Sequence, residues 1–325
     1  MQNTIEIEKI APMLDVHPIH LKMFLLRNSS ISSEADFIHA FKNYKQENPK
    51  PFVKWVGGKR QLLKQFRDLN LYPPEGFNPK TATYFEPFVG GGAMFFDLLP
   101  KKAVLSDMNL ELVTTYNIIK SNVSGLIKKL KEHQSNNSKN YFIEIRAQIL
   151  QGMSDTDVAA RFIYLNRTCF NGLYRVNKSG QFNVPFGENK NPLICDEVNL
   201  RKISSSLVNT KIIHQDYKKI LEKAKKGDFI YFDPPYYPVN LTSNFTNYTK
   251  EGFLENEQEE LRNTFVELSK RGCFVMLSNS DTPFINTLYS NLGKKIKIHK
   301  VLATRAINSK SEGRGRINEV VVINY

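Results

Sequence analysis

Asp228-Phe229-Ile230-Tyr231-Phe232-Asp233-Pro234-Pro235-Tyr236-Tyr237 is the stretch on which the fold turns. Phe229 to Phe232 form a short apolar, aromatic run suited to a strand buried on both faces. Asp233-Pro234-Pro235 ends it, because neither proline has an N–H for a ladder and both fix their φ. In an open parallel sheet, ligands bind outside the carboxyl ends of the strands. The stretch therefore predicts an α/β protein whose ligand edge presents a carboxylate, a rigid carbonyl and an aromatic ring. These groups suit a planar heteroaromatic amine. Asp233 and the Pro234 carbonyl can both accept hydrogen bonds from one NH2 group while Tyr236 stacks on the ring. A βα turn in which the Asp merely caps a helix is the plainer alternative.

Upstream, Tyr84-Phe85-Glu86-Pro87-Phe88-Val89-Gly90-Gly91-Gly92 predicts a second strand running into a glycine turn, then an apolar helix over 93–99. Such a turn lets a cofactor approach the backbone and a helix N-terminus. A further strand over 103–105 leads to Asp107. Its carboxylate can accept from ribose hydroxyls, which dinucleotides and S-adenosylmethionine both possess, or can cap a helix over 109–120. The G-x-G-x-x-G spacing of a dinucleotide site is absent. Pro51-Phe52-Val53-Lys54-Trp55-Val56-Gly57-Gly58-Lys59-Arg60 lacks P-loop spacing as well. It predicts a tight glycine turn before a helix through Leu62, Leu63 and Phe66, with Trp55, the single tryptophan, as a candidate stacking group.

Residues 109–165 read as mostly helical, with a polar loop at 133–140. The pattern breaks at 166–187. There Leu173–Val176 and Gln181–Val184 flank the turn signal Asn177-Lys178-Ser179-Gly180 and predict a β-hairpin. Arg167, Arg175 and Lys178 interleave with Phe170, Tyr174 and Phe182, a composition suited to phosphates and bases, or to a solvated hairpin on a basic protein. Downstream come a strand over 208–214, a Lys-rich helix from Asp216-Tyr217 through Lys226, and, after the central stretch, polar 240–250 as a candidate lid. A helix at 255–271, a strand at 273–279 and a helix at 282–291 follow. An antiparallel pair, 295–304 with 319–325, closes around a basic loop at 305–316. Residues 1–48 predict a small helical segment with a faint helix-turn-helix pattern (Ile10, Ala11, Leu14, Val16, Leu21, Leu25), and Asn48-Pro49-Lys50-Pro51 a linker.

Lys plus Arg outnumber Asp plus Glu 45 to 32, a formal charge of +13 that points to a polyanionic partner. Cys169, Cys195 and Cys273 are widely spaced, so neither a disulfide framework nor a zinc site is expected. No stretch reaches the ~18 apolar residues of a membrane span. With Glu6 and Glu8 at the start, a soluble cytoplasmic protein is expected.

Taken in order, Lys54-Trp55…Gly57-Gly58-Lys59, Phe85-Glu86-Pro87-Phe88…Gly90-Gly91-Gly92, Asn171-Gly172-Leu173-Tyr174-Arg175…Gln181-Phe182-Asn183-Val184-Pro185-Phe186-Gly187 and Asp233-Pro234-Pro235-Tyr236 resemble the Dam family of DNA adenine-N6 methyltransferases, α-group, of the DpnII restriction–modification type. The likeness covers about residues 51–325. It implies a Rossmann-like S-adenosylmethionine-dependent methyltransferase fold with an inserted target-recognition domain containing the β-hairpin. The expected parts are an N-terminal helical extension (1–50), a cofactor part (51–125), a target-recognition region (126–206) and a catalytic part (207–325). It also implies transfer from S-adenosylmethionine, leaving S-adenosylhomocysteine, to adenine N6 in duplex GATC, with no metal. A monomer is expected, with a cognate restriction endonuclease as functional partner.

By the same resemblance, Trp55, Lys59, Phe88, Gly90, Asp107, Asp216, Tyr217, Phe229 and Asp233 line the cofactor site. Asp233, Pro234 and Tyr236 hold the target adenine. Lys54, Phe170, Asn171, Leu173, Arg175 and Pro185 contact or open the DNA. Asn189 stands where relatives often carry a larger or basic residue, and residues 1–48 inherit no role. A base in a duplex must be flipped to be reached, at a cost of a few kcal/mol, which stacking on Tyr236 can offset by ~1–3 kcal/mol. Cytosine-N4 methylation and a non-catalytic DNA-binding protein remain open alternatives.

Overall fold

The computed structural model describes residues 5–14, 21, 25, 31, 33–177, 179–239, 253–304 and 316–325. The candidate lid at 240–250, Lys178, most of the basic loop at 305–316 and the middle of the helix-turn-helix pattern lie outside the described residues. Within them the chain divides into two units. One comprises Met1–Lys54, Thr114–Tyr174 and Phe182–Val208, and the other Trp55–Val113, Arg175–Gln181 and Asn209–Tyr325.

The second unit carries a seven-stranded sheet: β1 (Tyr84–Glu86), β2 (Ala103–Asp107), β3 (Thr210–His214), β4 (Phe229–Phe232), β5 (Phe274–Ser280), β6 (Lys297–Thr304) and β7 (Arg316–Ile323). Their order is β3-β2-β1-β4-β5-β7-β6. The first five are parallel, with Tyr84 beside both Ala103 and Phe229, while β7 runs antiparallel to β5 and β6. This is the expected mixed α/β sheet of Rossmann-like topology. β1 leads outward to β2 and β3, and the chain returns to place β4 on the other side of β1. The order thus reverses between β1 and β4, where an open α/β sheet forms its ligand crevice. Every residue of β1 and β4 is buried, as two covered faces require. Side chains alternate by face, so Ile230, Phe232, Val275, Leu277, Val320 and Val322 share a core with Leu261, Phe265 and Leu268 of helix Glu255–Lys270.

The first unit is largely helical. Helices Val123–Ser135, Lys139–Ala147, Asp155–Thr168 and Glu197–Ser206 start at Asn122, Ser138, Ser154 and Asp196, whose side chains each accept a first-turn N–H. The helical N-terminal segment belongs to this unit. Ile7, Ile10, Ala11, Leu14, Leu21, Phe37 and Phe41 form a cluster with Val198.

Three expectations change. The loop placed at 133–140 contracts, because the Ser138 cap starts a new helix at Lys139. The Lys-rich helix after Asp216 is only a 3-10 turn, Tyr217–Glu222, capped at Lys223, and a separate turn follows, in which Gly227 takes a positive φ and Asp228 accepts the Lys225 N–H. The hairpin at 173–184 forms its turn without regular strands among the described residues. Asn177 N–H donates to the Gln181 carbonyl (2.8 Å), and the Asn177 side chain accepts from Ser179 and Gln181. Val176 and Phe182 are isolated bridge residues within the two flanks, and a further bridge joins Cys169 to Phe186, with backbone bonds between 168–170 and 185–187.

Candidate active site

The carboxyl ends of β1 and β4 deliver the chemistry. Beyond β4, the Asp233 Oδ1 lies 2.8 Å from the Lys59 Nζ, which also donates to the Gly57 carbonyl and sits 4.8 Å from the centre of the Tyr236 ring. Lys59 is only 3% exposed, so its charge is held by this carboxylate and ring rather than by water. Burial pushes the Asp233 pKa up to about 6, and the Lys59 ammonium limits the rise. Glu86, the last residue of β1, is buried and accepts from the Tyr84 hydroxyl at 2.9 Å. Burial raises its pKa to about 8; the Tyr84 bond opposes this and the nearby Asp233 charge adds to it.

Tyr236 is anchored at its far end, its hydroxyl donating to Glu319 of β7 at 2.8 Å. Burial, with Asp233 and Glu319 nearby, drives its pKa well above the usual phenol value, so its ring stays neutral.

The glycine turn after β1 approaches Trp55 closely. A Cβ on Gly90 would lie 2.6 Å from the indole, and Gly90 and Gly92 both have positive φ. Gly90 N–H and Asn109 N–H donate to the two oxygens of Asp107, at 3.1 and 2.9 Å. Burial raises the Asp107 pKa and these backbone bonds restrain it. Phe88 packs against Tyr217, ring centres 5.3 Å apart, with Asp216 capping the Tyr217 turn through Lys218 N–H. The buried Tyr217 hydroxyl has no hydrogen-bond partner among the described atoms. A glycine cradle against an indole, a carboxylate at a strand end and an aromatic pair with an unmatched hydroxyl fit a nucleoside-bearing cofactor.

Phe229 does not join this group. It opens β4, roughly 13 Å of strand from Asp233, fully buried among Tyr72, Phe77 and Tyr84. Core packing replaces the cofactor contact expected of it.

The candidate DNA residues of the first unit gather around Asn166. Its fully buried amide accepts from Lys54 N–H (2.8 Å) and donates to the carbonyls of Lys54 and Gly172 (both 2.9 Å). Lys54 is thereby tied to the Phe170–Gly172 turn, in which Asn171 takes a left-handed φ of 55°. Phe170 is 48% exposed, and its N–H donates to the carbonyl of exposed Pro185. Leu173 is half-buried and its carbonyl accepts from the Cys169 thiol. Arg175 is exposed and grouped with the second unit.

Sequence reading missed the residues whose side chains bond to the turn at 235–237, Gln258, Asn279, Ser280 and Glu319, and the buried Glu86 beside it. One signal was present, Ser278-Asn279-Ser280 ending an otherwise apolar strand. None of the described helices is long and apolar enough to cross a membrane.

Residues 55–307 match the family model of D12 class N6 adenine-specific DNA methyltransferases. The Type II methyltransferase M1.LlaDCHI of Lactococcus lactis subsp. cremoris is 48% identical over 284 residues, 86% of this chain and 96% of that one. The Type II methyltransferase M.MjaIII of Methanocaldococcus jannaschii is 42% identical, covering 85% and 99%. A DNA adenine methylase of Vibrio cholerae is 33% identical, covering 84% and 95%. With Asp-Pro-Pro-Tyr at the sheet's reversal point and the glycine turn beside it, the chain belongs to the D12 class of N6 adenine-specific DNA methyltransferases.

Proposed function

We propose that this enzyme methylates adenine N6 within GATC in duplex DNA, on a base flipped out of the helix, with S-adenosylmethionine as donor. The observation that carries the reading is Asp233 beside Lys59 and Tyr236 at the carboxyl end of β4. GATC rests on the likeness of 171–175 and 181–187 to the family's base-reading element. Trp55, Gly90, Asp107, Phe88, Asp216 and Tyr217 would hold the cofactor, which supplies an electrophilic sulfonium methyl when bound.

The chain's own groups position and prepare the amine. Ionised Asp233 and the Pro234 carbonyl accept its two N–H bonds and leave the lone pair free. Tyr236, fixed through Glu319, stacks on the purine and offsets ~1–3 kcal/mol of the cost of flipping. Asp233 then takes the proton the methylated amine must lose and, with a pKa of about 6, releases it to water at neutral pH. Lys54, Phe170, Asn171, Leu173, Arg175 and Pro185 would engage the duplex, Arg175 as a fork to guanine worth ~1–3 kcal/mol of discrimination. A monomer acting alongside a GATC-cutting endonuclease completes the proposal.

The test is to expose DNA to the protein and S-adenosylmethionine and sequence it with modified bases identified. N6-methyladenine confined to GATC is expected, with Asp233→Asn losing transfer while still binding cofactor. Methylcytosine, methylation spread over other sites, or an active Asp233→Asn would overturn the corresponding part.

A further inference from the structure

We propose that Gln258 and Asn279 are positioning residues, a buried amide pair that holds the Asp233–Tyr237 turn in the shape that transfer requires. The proposal rests on Asp233 and the Pro234 carbonyl being the amine's acceptors. Two consecutive prolines deprive the turn of two N–H donors, so backbone pairing cannot fix it. Side chains do so instead. Gln258, fully buried on helix Glu255–Lys270, donates through Nε2 to the Pro235 carbonyl at 3.0 Å. Its Oε1 accepts from the Asn279 Nδ2 at 2.9 Å. The Asn279 Oδ1 accepts from Tyr237 N–H (3.1 Å) and Ser280 N–H (2.8 Å), and the Ser280 Oγ donates to the Tyr237 carbonyl at 2.7 Å.

The polarity of this chain is fixed. Rotating either amide would set oxygen against oxygen or N–H against N–H, so only one arrangement satisfies every partner. The amides therefore determine where the Pro235 carbonyl and Tyr237 nitrogen lie, and through them the direction of the Pro234 carbonyl and the Tyr236 ring. A reacting group misplaced by about 1 Å costs about 100-fold in rate.

The full chain is tested on GATC duplex with S-adenosylmethionine, comparing Gln258→Met, Asn279→Asp and Ser280→Ala with wild type. Gln258→Met keeps the volume but removes the donor to Pro235, and Asn279→Asp keeps the acceptor for Tyr237 but removes the donor to Gln258. Single-turnover transfer is expected to fall about 100-fold in both. Cofactor affinity, read from Trp55 fluorescence, and DNA affinity should stay within about 2-fold. The fluorescence rise of 2-aminopurine at the target position should persist, showing a flipped base that is held out of line. Ser280→Ala, which deletes one bond, should lose about 10-fold in transfer, and it carries the test if the other variants do not fold. Transfer within about 2-fold of wild type, or cofactor affinity falling in step with transfer, overturns the proposal. Asp233→Asn run alongside separates the two readings. If it stays active the catalytic assignment falls, whereas if it alone is inactive only the amide clamp falls.

Discussion

Asp233 and Glu86 are two carboxyls that burial moves in the same direction with different consequences. The Asp233 pKa of about 6 means that its carboxylate, the form that can accept from the amine, is lost as pH falls through that value. The profile of kcat/KM, which reports the free enzyme, is expected to rise with a midpoint near pH 6 and flatten above it. A flat profile between pH 5 and 7 would contradict the role. Glu86 governs stability. Its pKa is about 8 in the folded protein against an ordinary value of 4.5, so the folded state keeps a proton that the unfolded chain releases. Its contribution to stability is full below pH 4.5, declines as pH rises towards 8 by up to about 1.4 kcal/mol per unit, and does not fall further beyond. Glu86→Gln, which cannot ionise, is expected to flatten that decline, as urea denaturation of both proteins from pH 5 to 8 would show. Parallel curves would mean that Glu86 is ionised in the fold.

Among the elements, the strands and their punctuation were the legible part. β1 and β4 are apolar runs ended by glycine or proline, and both chemical features, the glycine turn and Asp-Pro-Pro-Tyr, lie just past those ends. Phe229 was placed at the cofactor by the family resemblance alone, whereas it opens β4 and is fully buried among aromatic rings at the end away from Asp233. Gln258 was invisible for another reason. One polar residue on an amphipathic helix reads as a solvent-facing position, and its burial depends on a proline carbonyl remote in sequence. The hairpin turn was evident in Asn177 and Gly180, but the further pairing beyond its flanks, through Thr168 and Gly187, was not.

The glycine turn offers a sharp test at this scale. Gly90→Ala forces a Cβ to 2.6 Å from the Trp55 indole at a φ of +45°. Left-handed strain of about 1–2 kcal/mol and displacement of the ring should weaken S-adenosylmethionine binding about 10-fold or more. Trp55, as the single tryptophan, reports this directly in a fluorescence titration. Unchanged affinity would remove Trp55 from the cofactor wall.

Across the whole molecule, the net charge pointed to a polyanion before any motif did, whereas the place of residues 1–48 needed the structure. Among the described residues, Val198 is the one buried member of their cluster from beyond the segment, and Lys202 of the same helix donates to the Glu47 carbonyl. Deleting residues 1–48 is therefore expected to lower the thermal midpoint modestly and leave methylation measurable. Loss of activity in a well-folded truncation would place the segment within the catalytic unit.

β7 has a consequence in time as well as in space. It lies between β5 and β6 in the sheet yet leaves the ribosome after both, so the flank of β5 stays unpaired until residues 316–323 emerge. Arrested nascent chains probed by proteolysis would show residues 274–280 becoming protected only at that length. The bond from Tyr236 to Glu319 spans 83 positions, so at about 5–20 residues per second the ring waits roughly 4 to 17 s for its anchor. An unfinished chain already carries its Asp-Pro-Pro-Tyr and its glycine turn, but translation withholds the carboxylate that steadies the ring.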